Sequence, residues 1–333
     1  MSKSTQYNTG DVVFPPYGIM PKLYEDWGRN TEQPVGDWLP GDPNRVKEWK
    51  AFLEDTLREI EGVLWPRFRD GGWPADSHAR MLELTKADFD LIAALDKEPG
   101  RGLDTVPMTP LASFDCPTHR TWYLKEDGQL PGMQDRYKHY DKTRSVEEAD
   151  FVRTTWISSR QKKESTLGQG SVTMLFKRAL QRPRPYQMAL AMGRPGGHNY
   201  EEALTAATPS MSSGHCLQGL IGVGGIFEFF IEKGTPIIGE YADALRQYGV
   251  DIGDRRVMAG VHYPSDNLCS WIIALRMADY VYREAEAVKK ELALAIQQSQ
   301  IFELIARSEN DVYKPALKAL SQLMPTSARA FHA

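Results

Sequence analysis

The stretch DRRVMAGVHYPSD, residues 254–266, decides how the chain is read. Arg255 and Arg256 open it, His262 follows Arg256 after five residues, and Asp266 follows His262 after three. Pro264 disfavours helix at Tyr263 and favours a new helix start, so His262 is expected at a break between two helices. Asp266 then falls in the first turn of the second helix, where a carboxylate suits the dipole and can reach back to the imidazole. A carboxylate that accepts from one imidazole nitrogen fixes the tautomer and leaves the other nitrogen free to attack. Alone, the stretch reads first as an ordinary capped helix junction.

Outward from this break the pattern is helical. Asp42-Pro43 is an N-cap followed by a first-turn proline, and Val46, Trp49, Leu53, Leu57, Ile60 and Leu64 recur at the helical period. A second helix is expected over 77–97, with Leu84, Leu91 and Leu95 on one stripe. Further helices are expected over 145–163, 172–180, 215–233, 237–248, 254–260 and 264–286, with a helical tail over 287–323. Residues 99–143 read as loop. No sustained period-two alternation marks a strand. The expected fold is therefore all-α, a bundle of roughly ten helices, with an extended arm over 1–41, a helical part of unassigned role over 42–144 and a core over 145–325.

The composition is that of a soluble globular chain, with 41% hydrophobic and 25% charged residues in 333. A formal net charge of −4 gives no support to a nucleic-acid partner. Three cysteines without CxxC spacing argue against a disulfide framework or a thiolate metal site. No basic start followed by an apolar core marks a signal peptide, so a cytoplasmic chain is expected unless the N-terminus was trimmed. The most apolar run, CLQGLIGVGGIFEFFI over 216–231, is interrupted by Gln218 and Glu228 and reads as a buried helix rather than an integral membrane span.

Two further blocks carry chemistry. In PSMSSGHC, residues 209–216, Ser213 and Gly214 stand at a helix N-terminus and can offer donors to an anion, with His215 at its edge. In KRALQRPRP, residues 177–185, Lys177 is on a helix and Arg184 lies in its proline-stiffened exit; with Arg178 and Arg182 also present, the whole basic cluster reads alone as a solvated face. Singly, each block is an ordinary cap or surface. Jointly they supply cations, helix-terminal donors, two histidines and a carboxylate, a complete set for binding and attacking a tetrahedral oxyanion.

In order and spacing the three blocks resemble the superfamily of type 2 phosphatidic acid phosphatases, bacterial class A acid phosphatases and vanadium-dependent haloperoxidases. Its pattern is K-x6-R-P, then P-S-G-H, then S-R-x5-H-x3-D. Here Lys177-x6-Arg184-Pro185, Ser213-Gly214-His215 and Arg256-x5-His262-x3-Asp266 match it, while Ser212 stands for the proline and Arg255 for the serine. The resemblance covers about residues 172–285. It implies that His262 attacks phosphorus, Asp266 holds its other nitrogen, and His215 serves as acid and then base. Lys177, Arg184, Arg256, Ser213 and the Gly214 amide would bind the phosphoryl oxygens, with no metal or other cofactor.

The expected substrate is a small soluble phosphomonoester, and a homo-oligomer is left open. The alternative is a haloperoxidase in which His262 ligates vanadate. The block GVHYPSDN and the modest length resemble the phosphatase branch more. A non-catalytic helical module that binds an oxyanion is the third reading. His198, in the glycine-rich loop 192–200, is a candidate substrate contact or a plain surface residue.

Overall fold

The computed structural model describes residues 43–95, 172–192, 208–258 and 260–328. Among them run ten α-helices: α1 Pro43–Val63, α2 His78–Leu95, α3 Val172–Leu180, α4 Pro185–Ala191, α5 Gly214–Glu232, α6 Glu240–Met258, α7 Pro264–Val281, α8 Ala285–Gln297, α9 Gln300–Arg307 and α10 Lys314–Leu323. The described residues contain no strand, only an isolated bridge between Arg69 and Gly72, and the protein is all-α.

Helix α5 is apolar around most of its circumference, and such a helix has to be buried on most sides. Every residue from Cys216 to Phe227 is buried except Gln218. It is the one helix among the described residues long and apolar enough to cross a bilayer, and 61% of that window is buried inside the fold. Helix α6 lies along it closely. A Cβ at Gly219 would run into the carbonyl oxygen of Gly249, and one at Gly253 would come within 2.7 Å of the Cys216 Cβ. Glycine allows this approach of two backbones.

Helix α7 is central. It is buried continuously from Pro264 to Leu275 and packs against α1, α2, α5, α8, α9 and α10. One core joins Phe52, Ile60 and Leu64 of the first helix and its exit with Leu84 and Ile92 of α2, Trp271 of α7 and Leu320 of α10. The polar start of α7 is therefore buried as well, so its backbone and side-chain groups need partners inside the protein.

Several boundaries differ from expectation. Residues 237–248 and 254–260 were expected as two helices, but α6 runs unbroken, because Gly249 and Gly253 serve close packing rather than a turn. Helix α7 ends at Val281, with Tyr282 extended, instead of continuing to residue 286. The tail is interrupted: Ser299 caps α9 by accepting from Phe302 N, and a 3₁₀ turn, Asp311–Tyr313, precedes α10. The proline-rich exit after α3 contains the short helix α4, with Pro185 in the first-turn position. The expected arm over 1–41, loop over 99–143 and helix over 145–163 lie outside the described residues.

Candidate active site

The third and sixth helices deliver the first groups through their C-termini. Helix α3 is pinned at its end: Phe68 N donates to Ala179 O at 2.7 Å, while Trp65 Nε1 and Trp73 Nε1 both donate to Leu180 O, at 3.1 and 3.0 Å. Gln181 then takes a left-handed conformation, φ 51°, which turns the chain sharply into Arg182-Pro183-Arg184. Helix α6 ends by the same device at Gly260, φ 74°, where a side chain would be strained. Beyond it, the amides of Val261 and His262 both return to Arg256 O at 3.2 Å, setting His262 just outside the helix.

His262 is 2% exposed and held from both sides. Its Nδ1 is 2.9 Å from Asp266 Oδ2, and its Nε2 is 3.0 Å from Arg184 Nη1. A carboxylate only accepts and a guanidinium only donates, so these contacts assign the Nδ1–H tautomer, with the Nε2 lone pair toward the arginine. Burial, followed by the charges of Arg184, Lys177, Arg256 and His215, holds the imidazole well below the ordinary histidine range. A neutral ring with a basic Nε2 is the nucleophilic form.

Asp266 sits at the third residue of α7. Its Oδ2 also accepts from Tyr263 N at 3.0 Å, closing the first turn of the helix on itself. Its Oδ1 accepts from Arg182 Nη1 at 3.0 Å, with Ser210 Oγ at 3.4 Å.

The cations are buried, and backbone carbonyls orient Arg184 and Lys177. Arg184 donates from Nε to Thr208 O and from Nη1 to Val261 O, both at 2.6 Å. Lys177 Nζ donates to Pro209 O and, at 3.1 Å, to Ser210 O. Desolvation and then Arg184 push the Lys177 ammonium well below its usual range. Arg256 is 1% exposed and lies close enough for its charge to act on both Lys177 and His262. Positive charges this close in a dry site favour an anion among them.

Ser213 caps α5: its Oγ accepts from Cys216 N at 3.4 Å, and its carbonyl accepts from Ser270 Oγ at 3.0 Å. Gly214 and His215 form the first turn and are half-buried. A Cβ on Gly214 would meet Thr173 Cγ2 at 3.2 Å.

The structure thus gathers Lys177, Arg184, Ser213, Gly214, His215, Arg256, His262 and Asp266 from α3, its exit, α5, α6 and α7. His198 and the side chain of Arg255 lie outside the described residues.

Arg182 corrects the reading of KRALQRPRP as a solvated face. It is fully buried, with its guanidinium over the rings of Tyr263 at 3.9 Å and Trp65 at 4.6 Å. Its Nη2 donates to Asp88 Oδ2 at 2.7 Å. Asp88, on α2, was not picked out by motif reading. Its signal is a charge on a buried stripe, since Met81, Leu84, Asp88 and Ile92 recur at helical spacing and all four are buried.

The sequence model of the PAP2 superfamily matches residues 164–288, which hold all eight gathered groups. No curated protein and no solved structure matches the chain. The match supports a phosphatase-type activity on a phosphate ester. The likeness of this chain to the PAP2 superfamily therefore rests on residues 164–288.

Proposed function

We propose that the protein is a metal-independent phosphomonoester hydrolase that works through a phosphohistidine on His262. The observation that carries this reading is the placing of His262, with Nδ1–H on Asp266 and Nε2 facing the Arg184 guanidinium among buried cations.

A phosphoryl group enters by offering its oxygens to Arg184, Lys177 and Arg256, and takes over the N–H that Arg184 gives to Nε2. The Ser213 hydroxyl and the Gly214 amide, at the start of α5, add donors and the helix dipole. The Nε2 lone pair then forms the N–P bond as the ester P–O bond breaks, and His215 gives its proton to the departing alkoxide. His215 next takes a proton from water, whose oxygen attacks phosphorus. The N–P bond breaks, its electron pair returns to Nε2, and inorganic phosphate leaves. Asp266 stabilises the positive ring that exists between the two steps. The substrate class that fits is a small phosphomonoester.

Hydrolysis of an aryl phosphate in EDTA, inhibited by vanadate, is the expected result. His262→Ala should abolish both turnover and the acid-labile phosphoenzyme trapped by rapid quenching. Vanadate-dependent oxidation of bromide by peroxide, without hydrolysis, would replace this reading by the haloperoxidase one. Full hydrolysis by His262→Ala would remove the nucleophile assignment.

A further inference from the structure

Asp266 has two oxygens and two duties. Oδ2 serves His262 Nδ1 and Tyr263 N, and Oδ1 serves Arg182 Nη1. The contact on Oδ1 keeps the carboxylate from turning, so that Oδ2 stays in line with the imidazole.

Arg182 is itself held through both terminal nitrogens of its guanidinium, while its Nε has no hydrogen-bond partner. Its Nη1 also donates to Ser265 Oγ at 2.6 Å, its Nη2 reaches Asp88, and Trp65 and Tyr263 cover its guanidinium. Asp88 accepts from Ser265 N at 3.0 Å and Tyr313 Oη at 2.9 Å on Oδ1, and from Ser265 Oγ at 2.5 Å and Arg182 on Oδ2. Burial raises the Asp88 pKa above the ordinary aspartate value, and the Arg182 charge and the hydrogen bonds from Ser265 and Arg182 act against it in favour of the carboxylate.

The charges give this chain of contacts a use beyond holding helices together. With Asp266 alone beside it, Arg182 would cancel the negative charge that faces His262. Asp88 supplies the second carboxylate, so that with Asp88 ionised the Asp88–Arg182–Asp266 group carries one net negative charge. That charge lies beside the Nδ1–H of a ring that becomes cationic on phosphorylation. We propose that Asp88 and Arg182 are positioning residues for His262, acting through Asp266 to aim the imidazole and to keep a net countercharge beside it. The proposal rests on the phosphohistidine reading for its effect on turnover. Asp88 and Tyr313 also lie outside the residues that match the superfamily, so the site is completed by α2 and by the turn before α10.

Buried ion pairs are often structural only, and breaking one destabilises a protein whatever its function. The test therefore reads two things that folding alone does not move, the division between kcat and KM and the Nδ1 proton resonance of His262. The resonance is assigned by its loss in His262→Gln. Asp88→Asn keeps the shape and the acceptor for Ser265 N and Tyr313, removes the countercharge, and turns an N–H toward Arg182 Nη2 and Ser265 Oγ in place of the accepting Oδ2. In the full chain with an aryl phosphate, it is expected to lower kcat about tenfold with KM within about twofold, and to move the Nδ1 proton upfield. Arg182→Lys keeps the charge without the fork and is expected to do the same. Ser265→Ala, which trims one hydroxyl, should show a smaller change in the same direction and keeps the test alive if the ionic variants fail to fold.

A folded Asp88→Asn or Arg182→Lys with wild-type kcat and an unmoved resonance, differing only in Tm, would overturn the proposal. If either ionic variant does not fold, an unmoved resonance and kcat in Ser265→Ala would do so. If the wild-type protein hydrolyses no phosphate ester, the phosphatase reading fails by itself. The resonance then decides the positioning: a shift in the folded variants supports it, and no shift removes it.

Discussion

At the level of single residues, the site is governed by how burial divides work between two ring nitrogens. His262 is surrounded by cations on the Nε2 side and anchored to a carboxylate on the Nδ1 side. Its protonation is therefore lowered well below the ordinary range, first by desolvation and then by Arg184. The folded protein binds fewer protons here than the unfolded chain, so this group's contribution is present above the unfolded pKa of about 6.5 and is lost as pH falls below it. A ¹⁵N-histidine NMR titration should find the His262 ring neutral throughout the mildly acidic range. A midpoint in the ordinary range would contradict the placement. These residues were legible in sequence because the chemistry restricts residue type and spacing within short blocks. Asp88 was not, because its partners Arg182, Ser265 and Tyr313 are 94, 177 and 225 residues away and no local pattern links them. Arg182 was misread because a basic residue in a polar run has the same local signature whether it faces water or two carboxylates.

At the level of helices, two contacts set how the elements meet. The α5–α6 interface depends on the absence of a Cβ at Gly219, where any side chain strikes the Gly249 carbonyl. Gly219→Ala raises helix propensity locally but forces the helices apart, and a net loss of about 1–3 kcal/mol is expected from overpacking. Urea denaturation against the wild type checks it. Periodicity alone located α5 but broke α6 in two, since a glycine reads as a breaker until the helix facing it is known.

The second contact is Asp254, which ties α6 to the start of α9. It accepts from Ser299 Oγ at 2.8 Å, from Gln300 N at 2.9 Å and from Asn267 Nδ2 at 3.3 Å. Burial raises its pKa to about 7, against the hydrogen bonds from Ser299 and the backbone. A raised carboxyl pKa means that the folded state holds the proton longer, so its contribution to stability is full below the usual aspartate range and is lost as pH rises to about 7. Asp254→Asn should therefore gain on the wild type by of the order of 1–3 kcal/mol from about pH 5 to about pH 8. Thermal melts across that range measure the difference. A constant gap would show that Asp254 is not the titrating group.

At the level of the whole molecule, the superfamily match and the folding unit are not the same set of residues. The match spans residues 164–288, yet Trp271 of α7 packs edge-on against Phe302 of α9, with ring centres 5.7 Å apart, and the same core includes Ile60, Ile92 and Leu320. A fragment holding only residues 164–288 would leave much of α7 uncovered. It is expected to lack a cooperative melt and near-ultraviolet dichroism, whereas the full chain shows both. A sharp transition in the fragment would mean that α1, α2 and α8–α10 are accessories. The all-α class was readable from composition and period, because helical stripes are local. The way α1, α2 and the tail close around α7 was not, because it follows from which stripes match in shape across the whole chain.

The Asp88–Arg182–Asp266 arrangement also bears on how such a chain can drift over generations. Three segments far apart in sequence share one balance of buried charge. An isolated replacement at residue 88 leaves Asp266 to neutralise the guanidinium by itself, and one at residue 182 leaves two carboxylates facing each other. Descendants that lose one member are expected to keep full activity only where the others are replaced in concert. The stretch of chain before the matched region therefore inherits under the same constraint as the motif histidine, although it carries no motif of its own.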